Sequence, residues 1–207
     1  MARAFGKVFL AAACVAALAA GCGGGGQDTP KATVQKVFKA LKDGDKAAFA
    51  ACYDATPEYL PWVNATAGLS QAARQLQDTC VRKFGEAESR PFRSPYDKLT
   101  PVDEAEVKVD GDRAEVLLPG MPGPLHLVKK GGVWKVNAAE QYADLKGARL
   151  EWAVKTMDAT ADAMRTATAE AEKPGATAES VRAKMLEKMT KVMQELMPQG
   201  TGVNPPE

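Results

Sequence analysis

The chain has 207 residues, with 27 Lys and Arg against 26 Asp and Glu, a formal net charge of +1. That length allows one ordinary domain with an extension and excludes two large ones, and the charge balance excludes a strongly basic nucleic-acid-binding surface. Apolar residues at 45% and charged residues at 26% describe a chain that folds, and the single histidine, His126, excludes a multi-histidine metal site within one chain.

The first 21 residues read as an export signal. Arg3 and Lys7 supply a positive start, and Val8 to Ala20 is an uncharged run of 13 residues. That run is too short to span a bilayer as a helix, which needs roughly 20 residues. Its end, Leu18-Ala19-Ala20-Gly21-Cys22, resembles the lipobox of bacterial lipoproteins, with Ala19 where the commoner pattern has Leu. The resemblance implies cleavage before Cys22 and a diacylglycerol on its sulfur. Ordinary signal cleavage at a small-residue site is the alternative. Gly23 to Gly26 then reads as a flexible tether. Gly23 is not the Asp of the enteric inner-membrane retention rule, so the resemblance implies an outer-membrane anchor facing the periplasm. Cleavage would remove Arg3 and Lys7 and no acidic residue, leaving 27 less 2 basic residues against 26 acidic, a charge of −1.

Residues 22–29 are therefore expected to be anchor and tether. Thr29-Pro30 opens the first helix, with Thr as cap and Pro in the first turn. Val34, Val37, Phe38 and Leu41 form its apolar stripe. Asp43-Gly44-Asp45 ends it and caps a short second helix, Lys46 to about Tyr53. Asp54 to Asn64, with Pro57 and Pro61, reads as a loop. A third helix is expected from about Leu69 to Phe84, stopped by Gly85.

The period then changes to two. Ala105, Val107 and Val109 alternate with charges before Asp110-Gly111, a hairpin signal. Ala114, Val116 and Leu118 form the return strand. Leu125–Lys130 and Val133–Ala138 flank a turn at Gly131-Gly132. The expected fold is α+β: three N-terminal helices packed on a four-stranded antiparallel sheet, followed by a C-terminal helical hairpin over 141–198. Tyr142, Leu145, Trp152, Met157 and Met164 mark one stripe of that hairpin. Val181, Met185, Met189, Val192, Met193 and Leu196 mark the other. Residues 199–207 read as a frayed tail.

Lys36 to Tyr53, KVFKALKDGDKAAFAACY, resembles the opening helices of the nuclear transport factor 2-like superfamily. Gly131 to Glu140, GGVWKVNAAE, resembles that group's closing strand. The resemblance covers residues 30–140 and implies a cone-shaped α+β domain. Pocket residues are offered by type: Tyr53, Asp54, Tyr59, Trp62, Tyr96 and His126.

Of the cysteines, Cys14 leaves with the signal. Cys52 and Cys80 sit on apolar helix faces in an oxidising compartment. A disulfide between them is the favoured reading, closing a loop of about 28 residues for roughly 3–4 kcal/mol. Two free, buried thiols are the alternative. Met185, Met189, Met193 and Met197 recur every four residues; a hydrophobic packing stripe is preferred over a soft Cu(I) site. No phosphate loop or nucleophile elbow is present, and no cofactor is expected. The leading functional expectation is a membrane-anchored, non-catalytic module for a small apolar ligand or an envelope protein. The alternative is a pocket enzyme of isomerase or dehydratase type with His126 or Asp54 as base.

Overall fold

A computed structural model describes residues 28–94, 97 and 102–196. Cys22, Tyr96, Met197 and the tail over 199–207 lie outside the described residues.

Helix α1 spans Pro30–Asp43. The Thr29 hydroxyl accepts the Ala32 N–H at 3.2 Å, the cap that its position foretold. Gly44 ends the helix at φ +67°, and a Cβ there would stand 2.9 Å from Arg74 Cβ. Both conformation and space therefore require glycine. The Asp45 carboxylate then accepts the Ala48 N–H at 2.9 Å and caps α2, Lys46–Ala51.

The next two residues depart from expectation. Tyr53–Asp54 is a short strand, β1, and not the end of a helix. The Cys52 carbonyl accepts the Val136 N–H at 2.8 Å, so a sheet edge satisfies this backbone. Helix α3 starts at Leu60, well before Leu69, and reaches Glu88 across a kink at Gly85, where φ is 81° and ψ 169°. Pro61 falls in the first turn, where its missing N–H costs nothing. The second half of the expected loop, from Leu60, is thus helix, and the expected stop at Gly85 is the kink.

The sheet is the second correction. It has five strands in the order β1-β5-β4-β3-β2, with β2 Glu106–Asp110, β3 Arg113–Leu117, β4 Leu125–Lys130 and β5 Val133–Asn137. Strands β2 to β5 form the antiparallel meander, but β1 pairs parallel to β5, so the sheet is mixed. Strand alternation sorts the two faces. Ala114, Val116, Leu125, Leu127 and Trp134 are buried in one cluster with Val34 of α1. Glu115, His126 and Lys135 face the other way. Val107 and Val109 share the inner face through their partners Val116 and Ala114, yet stay 37% and 57% exposed. The edge strand extends past the helical cover.

The C-terminal region holds three helices, not two: α4 Ala138–Gln141, α5 Gly147–Ala171 and α6 Ala178–Leu196. Helix α5 packs along α3 and against α6. Its buried positions include Leu150, Ala161, Ala163, Ala167 and Ala171, and not the expected Trp152, which is 41% exposed. Alanines bring helix backbones close, so the small residues carry the seam.

Cys52 and Cys80 are both free thiols. Cys52 packs on the cluster of Phe49, Tyr53, Val63 and Ala67. Cys80 lies in a separate cluster with Leu76, Phe92, Ala167 and Val181. From Ala67 to Cys80, α3 rises about 20 Å at 1.5 Å per residue. A disulfide holds its Cα atoms within about 7 Å. The expected crosslink fails because Cys52, at the end of α2, packs near the start of α3 and Cys80 lies toward its other end.

Candidate functional site

A cavity of about 380 Å³ opens where the C-terminal half of α1 meets α2, the start of α3 and the inner sheet face. Each element supplies a wall. Helix α1 gives Phe38 and Leu41, α2 gives Phe49, and α3 gives Trp62 and Thr66. Strand β1 gives Tyr53 and β4 gives Leu125. Met121, from the β3–β4 turn, is 42% exposed and stands at the rim. Tyr142 closes the set from the break after α4.

The walls are ordered by their rings. Trp62 and Tyr142 meet with centroids 3.8 Å apart at 38°, and Phe49 meets Tyr53 at 4.8 Å. The polar content is small. The Tyr53 and Tyr142 hydroxyls are 3.4 Å apart. Burial pushes the Tyr142 phenol up to about 12, against the opposing pull of its bond to Tyr53. It is therefore a neutral hydrogen-bonding group across the physiological range. The Thr66 hydroxyl donates to the Trp62 carbonyl at 3.0 Å and lies 3.3 Å from Met157 Sδ.

Of the six pocket residues named from sequence, Tyr96 lies outside the described residues and the other five divide by geometry. Tyr53 and Trp62 line the cavity. Tyr59 is buried in the adjoining core, immediately before α3. Asp54 and His126 lie on the opposite face of the sheet. Alternation along β1 turns Tyr53 inward and Asp54 outward, where the Asp54 carboxylate lies 3.2 Å from Lys130 Nζ. His126 sits between inward Leu125 and Leu127. Its Nδ1 is 3.8 Å from the Glu140 carboxylate, and its backbone N–H donates to Gln141 Oε1 at 2.8 Å. Arg113 and Glu115 join it around a polar recess of about 350 Å³ on that outer face. A base drawn from His126 or Asp54 is thus separated from the aromatic cavity by the sheet itself.

Sequence reasoning missed Tyr142 and Met121 as site residues. The stripe reading assigned Tyr142 to a continuous helix, and the helix break at 142–146 places its ring at the cavity. The prolines at 119, 122 and 124 mark a turn around Met121 in the sequence but not what the turn leans over.

Among the described residues, no group of three or more His, Cys, Asp and Glu side chains could hold a metal ion. No described helix is long and apolar enough to cross a membrane. Of the methionine series, Met185 packs on the far cluster, Met189 is half-buried and Met193 is exposed. Compared with protein-family models, curated proteins and solved structures, the chain matches none.

Proposed function

We propose that this chain is a cell-envelope lipoprotein, anchored through Cys22, whose domain holds a small apolar ligand in the cavity between α1, α3 and the sheet. One observation carries the reading. The cavity is walled by Phe38, Leu41, Phe49, Trp62 and Leu125, and its volume of about 380 Å³ falls within the usual range for small-molecule sites. Apolar walls favour an apolar ligand at roughly 25 cal/mol per Å² removed from water. The Tyr53–Tyr142 hydroxyl pair offers one polar contact. The fitting ligand is therefore a compact lipophile bearing a single hydrogen-bonding atom. The likeness of Lys36–Tyr53 and Gly131–Glu140 to the nuclear transport factor 2-like superfamily supports the same placement of a pocket.

The test is fluorescence titration of a Cys22→Ser chain, free of detergent, with a naphthylamine probe. Saturable binding at one site, lost on substituting Leu41→Asp but retained on substituting His126→Gln, is the expected result. Absence of saturable binding by a folded chain overturns the ligand reading. Membrane fractionation tests the anchor separately: Cys22→Ser should release the protein.

A further inference from the structure

Three elements run the length of the domain and agree on its polarity. Helix α1 begins beside Trp134: the Asp28 carboxylate accepts the Trp134 N–H at 3.1 Å, and Thr33 donates to the Trp134 carbonyl at 3.1 Å. The same helix ends at the cavity with Leu41. Asp28 and Leu41 are about 20 Å apart along a helical rise. Strand β4 runs from cavity-lining Leu125 to Lys130 at the opposite end, about 17 Å away. Strand β5 leads from Trp134 toward α4 and then Tyr142, back at the cavity.

The end beside Asp28 carries two hairpin turns, Gly111–Asp112 and Gly131–Gly132. They are joined where the Lys129 N–H donates to the Asp112 carbonyl at 2.8 Å. Val109 and Val133 are 57% and 47% exposed there. The charges around them are mixed: Lys108, Asp110, Asp112 and Arg113 on one hairpin, Lys129 and Lys130 on the other. Lys130 reaches Asp54 and Arg113 reaches Glu140, while Lys108 and Lys129 add positive charge beside the small apolar side chains, which lipid phosphates attract.

The tether joins the domain at this end. Six residues, 22–27, separate the start of the described chain from a lipid on Cys22 and reach at most about 20 Å, about the length of α1, so the cavity end would meet the leaflet only with the tether fully extended, which costs chain entropy. We propose that the sheet end bearing the two glycine turns rests on the phospholipid headgroups of the anchoring leaflet, and that the cavity opens toward the aqueous side. This rests on the anchor at Cys22. It implies that the ligand enters from, or is passed to, the aqueous compartment and not the bilayer beneath the protein.

The test uses the lipidated chain on vesicles of phosphatidylethanolamine and phosphatidylglycerol. An environment-sensitive nitrobenzoxadiazole probe is attached in a Cys52→Ser background at Val133→Cys, Val109→Cys or Leu117→Cys. Val133 and Val109 lie at the tether end, and Leu117 lies exposed at the cavity end. The expected result is a blue shift and brightening at both valine positions on vesicles, with no change at Leu117. A chain that floats with the vesicles while all three probes stay unchanged keeps the anchor and overturns the docking face. A response at Leu117 alone reverses the orientation and also overturns it. A chain that does not float overturns the anchor and the proposal together.

Discussion

The two ends of α3 are packed by opposite means. At the N-terminal end, Trp62, Val63 and Ala67 meet Phe49, Tyr53 and Tyr142, large rings that leave a cavity among them. At the C-terminal end, Leu76 and Cys80 meet Ala167, Ala171 and Val181, small side chains packed with one ring, Phe92, in a buried seam. Small residues bring helix backbones close and give a stiff scaffold. Rings meeting at angles of about 40° leave the gap that forms the cavity. One helix therefore joins a small-residue seam to the cavity end.

The strongest way to break this contrast is to open a void in the buried seam. Leu76 is 2% exposed. Leu76→Ala should destabilise the fold by about 2–5 kcal/mol, read from urea denaturation. Probe binding at the other end should be unchanged under native conditions. A fall in affinity matching the loss of stability would mean that the two ends act as one unit.

Next in size is an alkaline transition at the cavity end. The Tyr142 phenol is pushed up to about 12 in the fold from an ordinary value of 10. The folded state then keeps a proton that the unfolded state releases. The stabilisation is complete below pH 10 and is lost as pH rises through about 12. Two pH units correspond to about 2–3 kcal/mol at most. Tyr142→Phe should flatten that part of the stability–pH curve. An unchanged slope would show that this ring is not buried in solution.

How much of this was legible in the sequence follows from the range of each signal. The caps at Thr29 and Asp45 and the left-handed Gly44 are local, and local chemistry was enough. The four-strand meander was also readable, because alternation and turn glycines repeat along the chain. Strand β1 was not: two residues have no period, and only the distant Val136 edge makes Tyr53–Asp54 extended. The alanine seam was missed for a similar reason, since weighting by hydrophobicity favours Trp152 over Ala167. Of the site, Tyr53 and Trp62 were found by residue type. His126 and Asp54 were misplaced relative to the cavity because pocket membership depends on which sheet face the helices cover.

A smaller effect belongs between the ends, where the α1–α2 turn leans on Gln71 and Arg74. Gly44→Ala places a side chain at φ +67°, costing roughly 1–2 kcal/mol, and forces Arg74 to shift. Differential scanning calorimetry should show a lowered Tm. A stability equal to that of the parent would mean that the turn relaxes to another conformation.

The smallest perturbation reads the packing itself, because each end of α3 has a cysteine near it. Cys80 is fully buried in the seam, and desolvation pushes its thiol up to about 11. Cys52 is half-buried; desolvation also raises its thiol, while Lys36 and Lys135 pull it back. The thiolate is the reactive form, so at neutral pH both react slowly, and access separates them. Alkylation of the native chain should modify Cys52 first and reach Cys80 only when the seam opens, at a rate that rises with urea. The two thiols should stay unpaired in an oxidising buffer, and Cys52→Ser should leave the Tm within about 0.5 kcal/mol equivalent of the parent. Equal alkylation rates at both positions in the folded chain would show that the seam is as open as the cavity end, and would remove the distinction between scaffold and site.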